Sequence, residues 1–172
     1  MFRRLFLGFV ILSVSFSTAW AAALTTNQKT QLTALVVALN KASQENDIER
    51  IAQVIPVRLY QEIARRLQTT PEVLEKTFQQ ELRKQLANFG PFYLDPIHIT
   101  YEQTETGTPY ALVSAHIETP KTAVDYKILA FIEDNQWRLV FGGKQTLANP
   151  IFVEIYPGFS HVLLPQEIIK RK

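Results

Sequence analysis

Residues 124–141 read Val-Asp-Tyr-Lys-Ile-Leu-Ala-Phe-Ile-Glu-Asp-Asn-Gln-Trp-Arg-Leu-Val-Phe, and their period decides the fold. Val124, Tyr126, Ile128, Ala130 and Ile132 alternate with Asp125, Lys127, Leu129, Phe131 and Glu133, which is the period-two pattern of a strand. Asp134-Asn135 is a two-residue hairpin signal, and Trp137, Leu139 and Phe141 resume the alternation beyond it. Such a turn pairs Glu133 with Gln136. It sets Ile132, Ala130 and Ile128 opposite Trp137, Leu139 and Phe141, so turn and apolar pattern demand one register.

Upstream, the same period runs through Ala111, Val113, Ala115 and Ile117, and through Ile97, Ile99 and Tyr101, with a turn at Thr106-Gly107-Thr108. The period lengthens before Pro91. Leu32, Leu35, Val36 and Leu39 form a helical stripe over about residues 27–44. Asn46, with Glu49 three residues on, is a candidate cap for a second helix along Ile48, Ile51, Ala52 and Ile55. Pro56 forces a break, after which Leu59, Ile63 and Leu67 line residues 57–68. Thr70-Pro71-Glu72 starts a helix bearing Leu74, Phe78, Leu82 and Leu86, and Gly90-Pro91 stops it. Helices followed by an antiparallel meander predict an α+β domain, with N-terminal helices packed on the sheet. Residues 147–164 fit a short helix or a strand equally.

The first 23 residues carry Arg3 and Arg4, an apolar run from Leu5 to Leu12, and small residues ending in Ala19-Trp20-Ala21-Ala22-Ala23. That order predicts a cleaved signal peptide, with export to the periplasm and no membrane attachment afterwards. An uncleaved anchor is the alternative, since roughly 20 apolar residues span a bilayer. Removing Arg3 and Arg4 leaves 16 basic against 16 acidic residues, a formally neutral mature chain. Neutrality and export argue against a nucleic-acid partner. With no cysteine there is neither a disulfide nor a lipid-anchored N-terminus. One domain, residues 24–172, must hold by its core alone. At that length it buries roughly 70% of its unfolded surface.

This layout resembles the NTF2-like, cystatin-like α+β cone. The resemblance rests on the Asn46-Asp47-Ile48-Glu49-Arg50-Ile51 helix start, the Ile55-Pro56-Val57-Arg58-Leu59 break, the helix from Thr70, the hairpin over residues 127–140 with Trp137, and the closing Tyr156-Pro157-Gly158-Phe159 and Leu164-Pro165. It implies helices against a curved antiparallel sheet. The enzymes of that fold usually add a short hairpin before the last helix and an inward Asp-His pair. Here the helices run together, and neither Asp95 nor Asp125 has a matching inward His. The fold alone licenses no activity.

No pattern calls for a cofactor or names catalytic residues. His98 and His116 fall on one face near Glu102 and Glu118, too loose a set for zinc. Ser114 near His116 lacks a third orienting group and an oxyanion hole. Gly142-Gly143-Lys144 is no phosphate loop. Tyr60, Tyr101, Tyr126 and Trp137 are candidates to line a pocket for a small apolar ligand. Tyr110, Leu112, Leu129, Phe131 and Val140 share the sheet face away from the helices. Apolar residues there predict a homodimer interface, unless residues 151–164 fold over them. The expected function is a non-catalytic binding module. The alternatives are an isomerase or hydrolase using the cone, or an inhibitor or immunity-type protein with an envelope partner.

Overall fold

The computed structural model describes residues 23–172. The signal segment therefore lies outside the described residues, apart from Ala23. Helix α1, Thr26–Glu45, opens with a capping box: Gln28 N–H donates to Thr25 Oγ1 at 3.1 Å, and Thr25 N–H donates to Gln28 Oε1 at 2.8 Å. Its stripe of Leu32, Val36 and Leu39 is fully buried. Asn46 does not start the next helix. It takes the left-handed conformation that ends α1, and Asp47 caps α2, Ile48–Ala52. Helix α3 spans Val57–Arg66 and α4 spans Pro71–Phe89, the latter capped by Thr70 and stopped at Gly90.

Four strands follow as an antiparallel meander: β1 Phe92–Gln103, β2 Pro109–Glu118, β3 Thr122–Glu133 and β4 Gln136–Val140. Asp134 and Asn135 both have positive φ, as a right-twisting two-residue hairpin requires. Ile132 pairs with Trp137 and Ala130 with Leu139, the register the alternation demanded. A fifth strand, β5 Ile168–Arg171, pairs with the same β3 edge as β4, beyond the point where β4 leaves it. The sheet is not closed.

Both sheet faces are covered. On the inner face, Leu94, Val113, Ile128, Ala130 and Leu139 pack with α1 and α2. Trp137 is buried there too, in the cluster that includes Leu86 of α4. Its Nε1 donates to the Gln28 carbonyl of α1 at 2.8 Å, and Phe78 of α4 packs on Tyr60. On the outer face, Tyr110, Leu112, Leu129, Phe131 and Val140 are buried rather than exposed. The chain's own C-terminus covers them through α5 (Gly143–Leu147), α6 (Pro150–Ile155) and a 3-10 turn (Pro157–Phe159). Phe131 lies 5.0 Å from Tyr156 and 4.9 Å from Phe159 between ring centres. This intramolecular cover occupies the face that the dimer expectation needed. The substitution Phe131→Glu would bury a charge inside this cluster and is expected to unfold the cap rather than separate a pair of subunits. Loss of near-ultraviolet circular dichroism in the variant checks this. A native spectrum would contradict it.

Candidate functional site

Helices α3 and α4 bury little: Ala64 is the buried side chain of α3, and Leu86 that of α4. Their apolar stripes (Leu59, Tyr60 and Ile63; Leu74 and Phe78) are only half-buried, because they face a cleft of about 350 Å³. Ile55, Pro56, Leu139, Val140 and Phe141 complete its walls. A second hollow of about 330 Å³ shares Leu59, Ile63 and Thr146 with it and runs under α5 and α6. Apolar clefts of a few hundred Å³ are of the size that small-molecule sites take. Thr146 Oγ1 is already spent on the Phe141 carbonyl at 2.9 Å. The Tyr60 hydroxyl is buried and, among the described residues, has no hydrogen-bond partner. Burial, with Glu75 nearby, pushes this phenol well above its ordinary range. A buried unmet hydroxyl costs about 1–3 kcal/mol.

The four aromatic candidates do not converge. Tyr60 lines this cleft, whereas Trp137 is structural. Tyr101 lies under the Lys29 ammonium at 4.9 Å, also beside α1. Tyr126 packs against the inner core from β3, at the edge of a different hollow that opens on the outer face, and burial pushes its phenol up to about 12.

That outer hollow, about 470 Å³, is built by a break in β1. Leu94 pairs with Ala115 and Ile99 with Val113, so Asp95, Pro96, Ile97 and His98 together face Ser114. Proline in a strand belongs at such a bulge. Asp95 Oδ1 accepts from the Ile97 and His98 amides, and His98 Nδ1–H donates to Oδ2 at 2.6 Å. These bonds, that to the His98 ring foremost, hold the Asp95 carboxyl below its usual range. Across β2 and β3, His116 pairs with Asp125 and donates from Nδ1 at 2.6 Å. Both aspartates thus have a histidine, on the outer face rather than inside the helix-covered side. Ser114 meets Lys127, whose ammonium donates to its hydroxyl at 2.6 Å, and not His116. Among the described residues, no group of three or more His, Cys, Asp or Glu converges as metal ligands.

The chain matches no protein-family model, no curated protein and no solved structure. Its geometry alone therefore carries the functional argument. Among the described residues no helix is long and apolar enough to cross a membrane. The basic clusters are engaged locally: Arg65 and Arg66 with Glu62, Arg66 also with Glu154, Lys84 with Glu81.

The tail strand β5 is held to this face by charge. Lys170 donates to Asp125 at 3.0 Å, and Lys172 contacts Glu118, which also lies 3.7 Å from His116 Nε2. His116 and then Lys170 hold the Asp125 carboxyl low; Lys172 does so for Glu118. Depressed carboxylates give stability that is complete above their ordinary range and fades as pH falls through the lowered values. Below about pH 4, β5 should therefore lose amide protection before the β2–β3 ladder does. Hydrogen exchange by NMR measures this, and β5 protection constant down to pH 3 would contradict it.

Proposed function

We propose that this chain is an exported, periplasmic, non-catalytic binding module of NTF2-like build that holds a small apolar molecule between α3, α4 and the end of β4. The helices-then-meander layout and the Arg-led apolar N-terminus support fold family and export. The single observation that carries the ligand is the apolar cleft with its unmet Tyr60 hydroxyl. Two helices turn their apolar stripes to a hollow, and Tyr60 in its wall keeps a buried hydroxyl that, among the described residues, has no hydrogen-bond partner. An occupant of matching chemistry is a short hydrocarbon chain or ring carrying one acceptor. Because α3 and α4 bury few side chains, they are the elements that can yield to admit it.

The test is displacement of N-phenyl-1-naphthylamine fluorescence by 2-octanone and by octane. Both should compete, the ketone more strongly. In Tyr60→Phe the ketone should lose its advantage over octane. The same variant should be more stable than the wild type by about 1 kcal/mol, because it removes an unmet polar group. In Ile63→Trp, which fills the cleft, neither should compete. Equal displacement from wild type and Ile63→Trp would refute the assignment.

A further inference from the structure

The outer hollow has a composition of its own. The C-terminal cap covers the apolar half of the outer face and ends at buried Leu164. Pro165 and Gln166 then cross beside Tyr126 and Lys127, and Ile168 docks opposite Asp125. The β1 bulge closes the other side with Tyr93 and Asp95. The result is a groove whose floor is the side chains of β2 and β3.

Its hydrogen-bonding capacity is unevenly spent. Both Asp95 oxygens already accept, from two amides and the His98 ring. Both Asp125 oxygens accept as well, from His116 and Lys170. The Nδ1 donors of both histidines are used in these bonds. Ser114 donates to the His98 carbonyl at 3.4 Å and accepts from Lys127. Lys127 keeps free donors. The half-buried Lys127 ammonium has three N–H groups, of which one goes to Ser114, and among the described residues it has no carboxylate within ion-pair distance. The Gln166 amide lies in the same wall. Asp125 is ion-paired with Lys170 and both aspartates accept from a histidine ring, whereas Lys127 meets only the neutral Ser114 hydroxyl.

We propose that this groove is a second binding site, for a small organic carboxylate. The carboxylate oxygens take the free N–H groups of Lys127, and the organic part lies between Tyr93 and Ile168. The neutral partner Ser114 orients the ammonium without cancelling its charge, and the half-buried setting strengthens the pairing over one in open water. The bulge of β1 is what makes room, since a regular ladder would bring β1 up against Ser114.

The test uses benzoate, with benzyl alcohol and inorganic phosphate as comparators, followed by amide and side-chain NMR shifts of the mature protein. Benzoate should shift Lys127, Ser114 and Tyr93, with saturation. Benzyl alcohol and phosphate should bind at least tenfold more weakly. Lys127→Met should weaken benzoate at least tenfold, whereas Lys127→Arg retains binding within a few-fold. Should Lys127→Met fail to fold, Ser114→Ala serves, with a smaller loss of affinity. The cleft variant Ile63→Trp should bind benzoate like the wild type, which separates this site from the apolar one. Benzoate binding that is unchanged in Lys127→Met, absent from the wild type, or matched by benzyl alcohol or phosphate overturns the proposal.

Discussion

Glu133→Ala is expected to destabilise the domain by about 3–5 kcal/mol, the range for removing one member of a buried charged network. Glu133 is 7% exposed at the end of β3. Helix α3 begins at Val57 after Pro56, which offers no side-chain cap. Glu133 reaches over from the sheet to supply it, accepting the Val57 amide at 2.8 Å. Its other oxygen accepts the Tyr156 hydroxyl at 2.6 Å, and the Arg138 guanidinium stands 3.9 Å away. Arg138 in turn donates to the Gln53 carbonyl at 2.6 Å. One carboxylate thus ties the α2–α3 junction, the hairpin and the C-terminal cap together. Its loss leaves the Val57 amide and the Tyr156 phenol unmet at once and removes the carboxylate paired with Arg138. Tyr156→Phe removes one of these contacts and should cost only about 1 kcal/mol. Urea denaturation measures both, and a Glu133→Ala midpoint equal to the wild type would refute the role.

Trp137→Ala should cost about 3–5 kcal/mol, as for a buried large aromatic. The ring fills the inner face at the start of β4, and its N–H anchors the first turn of α1 through Gln28. Gln28 also completes the capping box, so the substitution is expected to fray the beginning of α1 as well as leave a void. Hydrogen exchange of the α1 amides should rise alongside the fall in denaturation midpoint. An unchanged midpoint would place the ring outside the core. With no disulfide to restrain the unfolded chain, either variant removes a large part of a typical 5–15 kcal/mol stability.

The hairpin was legible because two independent signals coincide there: Asp134-Asn135 accepts positive φ, and the alternation fixes which residues face inward. The inner and outer faces of β2, β3 and β4 follow from that alternation alone. The cover on the outer face was not legible as such. Helix α6 is too short to show a period, and Pro157-Gly158 interrupts it. The residues of the outer face were therefore expected to be exposed, although their apolar character was itself the signal that something covers them. The start of α2 moved by one residue because Asn46 and Asp47 are both good caps, and the left-handed end of α1 claimed Asn46.

Of the cleft, Tyr60 was legible as a candidate. Its grouping with Tyr101, Tyr126 and Trp137 was not sound, because aromatics on different elements carry no information about shared cavities. Alternation places Glu133 on the outward face, where a charged residue is ordinarily exposed. Only the return of α6 and Tyr156 over that face buries it. The His116–Asp125 pair follows from extending the hairpin logic to β2 and β3, where the two are direct cross-strand neighbours. The Asp95–His98 pair has a weaker signal, Pro96 inside an apparent strand, which marks a bulge. Lys127 carried no signal, since its significance lies in having, among the described residues, no carboxylate within ion-pair distance, and that is a property of the fold.

Whether the space between α3, α4 and β4 holds a ligand is tested most directly by methyl NMR of isotope-labelled protein, residues 24–172, titrated with 2-octanone. The predicted result is saturable shifts at Ile55, Leu59, Ile63, Leu74, Leu139 and Val140, the walls of the cleft. Methyl signals of the inner core, such as Leu32 and Val113, should stay in place. Shifts scattered over the surface, or no saturable shift at the six cleft residues, would contradict the account.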